Sequence, residues 1–279
     1  MSASTQSIAQ RYQRDGFLCP LPALTKDEAD RLLSELEAAE RSLGSTLGKA
    51  EGQLRAKTHL LFPWLYELCF HPAILRPVQQ ILGPDLLLYH VTCWLKEPGD
   101  PSFVSWHQDG TYFYLEPPEH VTAWVALTDS NLDSGCVQVL PGTHALGQLQ
   151  HQSVPDRANL LSNGQHAEGE FDASNATPLT LQAGQISLHD TFIVHSSGPN
   201  RSTKRRIGIG LSYIPTRVSY RGGRRVGATL VSGIDHYNHF QAEQPPAESL
   251  DTAARAFHAN ACQRFFAGHG AAREDAKQS

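Results

Sequence analysis

The sequence predicts a mainly β protein with flanking helices, its core a sandwich or barrel of short strands. Three observations carry that expectation. In the first third of the chain, before Asp85, apolar residues recur at helical spacing. From Asp85 onward the texture changes to short apolar runs separated by Gly, Pro, Asn and Asp, as in a sandwich or barrel. From Pro245 a helical period returns, with Leu250, Ala254, Phe257 and Ala261 on one face.

Thr25-Lys26-Asp27-Glu28 has capping-box spacing, and Ala29, Leu32, Leu33, Leu36 and Ala39 continue it with a helical period. A second helical stretch covers 62–70. A third covers 72–82, where Pro72 suits a first turn and Gly83-Pro84 a stop. Pro77 argues against an unbroken helix there. Strands are expected at 86–96, 104–107, 121–127, 136–140, 179–181, 185–189, 192–195 and 207–214. The polar stretch 145–176 reads as a long insertion of the size of a lid or binding loop. With no repeat and no low-complexity linker, one domain over 1–279 is expected. It would comprise a helical front over 1–84, a β core over 85–220 and a helical end over 245–270.

Composition narrows the partners. A net charge of −5 and a pI near 6.3 give no reason to expect nucleic acid or an anionic membrane. The five cysteines (Cys19, Cys69, Cys93, Cys136, Cys262) form no CxxC pair, which argues against a zinc ribbon and a disulfide framework. An odd number of thiols fits a reducing compartment. Residues 1–16 lack the apolar run of a signal peptide, and no later stretch is long enough to span a membrane. A cytoplasmic protein acting on a small molecule is the expectation; oligomeric state is not legible.

The chemistry concentrates in His107-Gln108-Asp109, His195 and Arg206. A His and a carboxylate two residues apart on a strand point to one side. A second His from a distant strand completes a set that leaves positions on an Fe(II) open for a co-substrate and O2. Arg206 adds a bidentate cation suited to a dicarboxylate. His189 is the rival distal ligand, with Arg201 downstream at a similar offset. Arg201 lies in a polar turn, whereas Arg206 heads an apolar strand and needs a buried partner, which favours His195. Arg205 should point outward to solvent. Of the remaining histidines, His71, His151, His166, His236, His239, His258 and His269 have no partner pattern.

The segment from Lys57 to Ile214 resembles the phytanoyl-CoA dioxygenase family of Fe(II)/2-oxoglutarate oxygenases. Trp106-His107-Gln108-Asp109, the run from Gly135 to His144 with Pro141-Gly142-Thr143-His144, and the run from His195 to Ser202 with Arg205-Arg206 carry the likeness. The resemblance implies a double-stranded β-helix (jelly roll, cupin-like) over 85–220. It implies His107, Asp109 and His195 as iron ligands, and Arg206 as the clamp on the distal carboxylate of 2-oxoglutarate. Ser197 would stand near that carboxylate, and Trp124 would wall the pocket. On 86–96, His90, Thr92 and Trp94 share a face that would look into the barrel, His90 and Thr92 toward the co-substrate. Thr143 and His144 are expected to be structural.

The implied cofactors are Fe(II), 2-oxoglutarate and O2, and the implied reaction is hydroxylation of a C–H bond. In related halogenases a small residue stands at the position of Asp109, so the carboxylate favours hydroxylation. Tyr112, Tyr114 and Trp94 are candidate substrate contacts, and aromatic rings could hold an ammonium group. Arg217, Arg221, Arg224 and Arg225 could meet an anion, or form a solvated basic loop. The likeness leans toward bacterial small-molecule hydroxylases acting on aminophosphonates or quaternary-ammonium compounds. The rivals are a biosynthetic oxygenase that desaturates, epimerises or cyclises, a non-catalytic cupin-like binding protein, and a zinc hydrolase.

Overall fold

The computed structural model describes residues 6–50, 53–161, 164–169, 171–222 and 225–276. Ahead of the core lie α1 (Ile8–Asp15), β1 (Phe17–Pro22), α2 (Lys26–Leu43), α3 (Pro63–Leu68) and α4 (Pro72–Leu82). The core runs through β2 (Leu86–Lys96), β3 (Val104–His107), the single turn α5 (Gly110–Phe113), β4 (Leu115–Glu116), β5 (Val121–Ala126) and β6 (Val137–Val139). The insertion carries the hairpin of β7 (His151–Ser153) and β8 (Gln165–Ala167), followed by β9 (Thr177–Pro178). Then come β10 (Gln185–Asp190), β11 (His195–Ser197), β12 (Arg206–Pro215), β13 (Ser219–Tyr220), β14 (Gly227–Ser232), β15 (Gln241–Ala242) and α6 (Thr252–Ala276).

Two sheets make the jelly roll. The larger has the order β1-β10-β5-β12-β2-β14-β15, the smaller β3-β11-β6-β9. The larger sheet takes β1 from the expected helical front and β14 from beyond residue 220, so the strand core reaches past 85–220 on both sides. β1 carries Pro20 and Pro22, residues that argue against a strand; it lies at the sheet edge, where a missing N–H leaves no ladder bond unmade. Of the expected strand 192–195, residues 192–194 are not extended in a sheet. Ile193 and Val194 are buried in irregular chain after the turn at 191–192, and His195 opens β11 rather than closing a run.

The helices cover one face of the larger sheet. Thr25 caps α2 through a capping box, and α2 buries Ala29, Leu32, Leu36 and Ala39. α4 passes through Pro77 without ending. The missing donor forfeits a single bond, and burying Ile74, Val78 and Leu82 at about 1.5–3 kcal/mol each outweighs it. Against these helices the sheet turns Val121, Ala123 and Val125 of β5 and Ile207, Ile209 and Leu211 of β12.

The alternate residues face inward. On β5 these are Thr122 and Trp124; on β12, Arg206, Gly208 and Gly210. β2 pairs Ser212 with His90 and Tyr213 with Leu88, skipping Tyr89. That irregularity changes the inward parity, so that His90, Thr92, Trp94 and Lys96 share the inner face beyond it. Among the described residues no helix is long and apolar enough to cross a membrane, and the five cysteines are free thiols.

Candidate metal centre

His107 closes β3 and His195 opens β11, and the two are register partners across antiparallel strands. Their ring centroids lie 4.1 Å apart. Each imidazole donates from Nδ1 to the carbonyl two residues earlier, His107 to Ser105 at 2.9 Å and His195 to Ile193 at 3.0 Å. A carbonyl only accepts, so both rings carry their proton on Nδ1 and leave Nε2 as a lone pair. Asp109 follows in the turn into α5. Its Oδ1 is 3.6 Å from His107 Nε2 and 3.8 Å from His195 Nε2. The donor atoms of all three lie within 4.8 Å of one another.

The outer oxygen of Asp109 is also held. Thr122 Oγ1 donates to Oδ2 at 2.8 Å, and His189 Nε2 lies 3.6 Å from it. The rival histidine thus stands beside the second carboxylate oxygen and lines the same pocket, its ring centroid 4.8 Å from that of His195. Burial by itself would raise the Asp109 carboxyl. The neighbouring imidazoles of His107, His189 and His195 outweigh it and hold the group well below the usual carboxylate range. Burial pushes His195 well below the ordinary imidazole value, and a proton shared with the adjacent His107 ring would push it in the same direction. A neutral imidazole and an ionised carboxylate are the protonation states that bind metal.

Arg206 lies on the inner face of β12, 2 % exposed. Its Nη2 donates to Ser197 Oγ at 3.2 Å, its guanidinium stands 5.5 Å from the Trp124 ring, and its buried Nε has no hydrogen-bond partner among the described residues. An unsatisfied buried guanidinium N–H costs free energy until an anion reaches it. Burial lowers the Arg206 pKa to about 10, so the charge persists at neutral pH. One pocket contains the three donor residues, Thr122, Trp124, Ser197 and Arg206. Gly208 leaves the space for Trp124 to lie there, since a methyl at that position would come within 1.8 Å of Cζ2.

The donor set fits a non-heme Fe(II), being two neutral imidazoles and a carboxylate with open space on the pocket side. The orphaned Arg206 Nε fits a carboxylate of 2-oxoglutarate. The phytanoyl-CoA dioxygenase family profile matches residues 12–208. The chain belongs to the phytanoyl-CoA dioxygenase family. The match starts well before Lys57 and takes in the helical front.

Relatives within and around this family differ in length and reaction. Bovine peroxisomal phytanoyl-CoA dioxygenase is 29% identical over 161 residues, covering 56% of this chain and 48% of that protein. The chain thus spans about half the length of that curated relative. The L-proline trans-4-hydroxylase of Streptomyces griseoviridis is 24% identical over 235 residues, covering 76% of this chain and 87% of that protein. The non-heme monooxygenase ThoJ is 30% identical. Its apo structure superposes with a TM-score of 0.85 over 96% of this chain and 100% of that one, and its nickel complex with 0.79 over 94% and 98%.

Not every expected contact lies where the sequence put it. His90 and Thr92 do not line the Arg206 pocket. They line a neighbouring cavity together with Tyr112, while Trp94 lies between the two. Tyr114 turns away into an outer groove. Arg205 is not free in solvent, since it pairs with Glu40 at 2.9 Å and Glu97 at 2.8 Å. Arg217 and Arg221 pair with Glu119 and Glu116, and Arg225 donates to the carbonyls of Asn238 and Phe240. Arg224 lies outside the described residues. Thr143 Oγ1 donates to Leu140 O at 2.7 Å and accepts from Val194 N at 2.9 Å, a turn contact.

Sequence reasoning misses several contributors. His151, read as having no partner, accepts at Nε2 from the backbone N–H of Gln108 at 3.0 Å and braces the metal loop. Lys96 is fully buried, and its Nζ donates to Ser197 Oγ at 2.7 Å and to the carbonyl of Gly198. The alternation through His90, Thr92 and Trp94 continues to Lys96, so that signal is in the sequence. Arg55, Phe265 and Phe266 carry no such signal, because they arrive from far along the chain.

Proposed function

We propose that this protein is an Fe(II)- and 2-oxoglutarate-dependent dioxygenase that hydroxylates a C–H bond of a polar small molecule. Aminophosphonates and quaternary-ammonium compounds are the candidate classes. One observation carries the reading: the His107/Asp109/His195 donors and an arginine with an unpartnered N–H open into the same pocket. Bound iron and 2-oxoglutarate would supply the oxidation, with O2 split between the new hydroxyl and succinate and with loss of CO2.

The remaining work falls to the chain. His107 and His195 offer Nε2, each kept in the right tautomer by its own backbone carbonyl. Asp109 supplies the third donor and leaves no gap for a halide, which favours hydroxylation over halogenation. Arg206 grips the distal carboxylate of the co-substrate, with Trp124 along its flank; Ser197 stands beside it and braces the guanidinium, its own proton going to the carbonyl of Gly135. Lys96 adds a second buried positive charge behind Ser197. Trp94 and Val137 help close the pocket against water.

The test is succinate release from 2-oxoglutarate with Fe(II), ascorbate and a panel of small polar substrates. The wild type is expected to release succinate only with iron, and His107→Ala to release none. Metal binding without iron-dependent succinate would favour a non-catalytic cupin-like binding protein.

A further inference from the structure

Beside the metal centre a second cavity, of about 160 Å3, opens between the inner face of β2 and α6. His107 and Asp109 contribute to its wall, so an occupant lies against the metal ligands. Trp94 stands on one side and Phe265 and Phe266 of α6 on another. The ring of His90 stacks on Phe265 with centroids 4.3 Å apart and planes at 16°, which seats α6 on β2.

Arg55 enters this cavity from the strap that precedes α3. The strap is laced to β2: Lys57 N donates to Val91 O at 2.7 Å, Cys93 N donates to Arg55 O at 2.8 Å, and Ala56 bridges to Thr92. That lacing brings the Arg55 guanidinium to 5.4 Å from the Trp94 ring. Nη2 donates to the carbonyl of Leu160 at 2.6 Å. Among the described residues Arg55 has no ion pair with a carboxylate, although a guanidinium carries several further donors. Arg55 is half-buried and also lines an outer groove with Asp156 and Arg157, and burial pushes its pKa down. Asp109, in the same cavity wall, is already engaged by Thr122 and the surrounding imidazoles.

Resting on the dioxygenase reading, we propose that Arg55 anchors the substrate through an oxyanion. The substrate is a compact molecule bearing a carboxylate, phosphonate or phosphate, with an apolar or aromatic body against Trp94, Phe265 and Phe266. A cavity of 160 Å3 is well below the roughly 300–1,000 Å3 of drug-sized sites, which selects a small body. A quaternary ammonium without an anionic group would set one cation beside another. The oxyanion site is separate from the co-substrate clamp, because Arg206 opens into the other pocket.

The test uses protein loaded with Zn(II) in place of iron and saturated with 2-oxoglutarate, so that the Arg206 site is filled and no turnover occurs. Calorimetry then compares benzoate, phenylphosphonate, benzamide and benzyltrimethylammonium. At least one oxyanion is expected to bind about tenfold or more tightly than benzamide and the ammonium compound. The better of the two identifies the oxyanion class. Arg55→Gln should abolish the preference while leaving 2-oxoglutarate binding unchanged. Should that variant fail to fold, Arg55→Lys carries the test, weakening the oxyanion several-fold and leaving benzamide unaltered. Equal binding of benzoate and benzamide, a preference that survives the substitution, or no binding of either oxyanion overturns the proposal. Failure of the dioxygenase reading would leave a different trace: no iron-dependent succinate, with an Arg55-dependent oxyanion preference intact.

Discussion

Lys96 Nζ lies 2.7 Å from Ser197 Oγ, the same hydroxyl that accepts from Arg206. Two cations thus converge on one oxygen at the back of the pocket. Burial, with the charge of Arg206 behind it, brings Lys96 down to about 7. Above that pH the amine is increasingly neutral, and a carboxylate arriving at Arg206 raises its pKa and draws a proton back. Binding of 2-oxoglutarate should therefore take up protons above about pH 7, visible as a dependence of calorimetric enthalpy on buffer ionisation heat. Lys96→Met should remove the proton uptake and weaken 2-oxoglutarate by roughly tenfold. Buffer-independent enthalpy in the wild type at alkaline pH would rule out a titrating Lys96.

Gly208→Ala tests the placement of Trp124. Its new methyl would meet the indole at 1.8 Å, so the ring must leave its station beside Arg206. A loss of about 1–3 kcal/mol in stability is expected from overpacking. The KM for 2-oxoglutarate should rise by roughly tenfold, measured by succinate formation. A destabilised variant with an unchanged KM would show that Trp124 is no wall of that pocket.

Thr122→Val removes the 2.8 Å hydrogen bond to Asp109 at nearly constant volume. Loss of such a supporting contact commonly lowers metal affinity by about 10–100-fold, and that range is expected here in a competitive metal titration. Thr122→Ser, which keeps the hydroxyl, should recover most of the affinity. Equal affinities in all three proteins would assign Thr122 to the sheet alone.

Stability at low pH should depend on a charge network away from the metal. Lys57 Nζ meets Glu243 Oε1 at 2.5 Å, and Glu243 Oε2 lies 3.1 Å from both His59 Nε2 and Thr229 Oγ1. Burial would raise Glu243, but the charge of Lys57 and the contact with His59 hold it down to about 2, from its usual 4.5. A depressed carboxylate stabilises the fold fully above its unfolded pKa and loses that contribution as pH falls toward the folded value. The wild type should therefore lose about 3 kcal/mol between pH 4.5 and 2 through this group. Glu243→Gln should cost roughly 3–5 kcal/mol at neutral pH and flatten that slope, as read by denaturant melts across the acid range. An unchanged acid slope would remove Glu243 from the account.

What the sequence discloses follows from where the governing forces are local. Pro72 and Gly83 punctuate α4 at both ends, and β2 is bounded as expected at 86–96. Inward-facing positions on β2 are legible from alternation, although that pattern continues one step further, to Lys96. β1 escapes notice because its prolines read as strand breakers, and only the tertiary fact that it is an edge makes them tolerable. Residues 192–195 mislead in the opposite sense, since an apolar run records burial rather than backbone shape. The meeting of Arg55, Trp94 and Phe265 depends on long-range closure, which spacing along the chain does not encode.

The position of α6 has a wider consequence. Metal donors come from β3, the turn after it and β11, whereas two aromatic walls of the neighbouring cavity come from a helix that begins at Thr252. On the dioxygenase reading, the metal donors and much of the substrate wall are thus written on different stretches of polypeptide. Editing Phe265 and Phe266 would then reshape two walls of that cavity while leaving the His107, Asp109 and His195 donors, Arg55 and Trp94 as they stand.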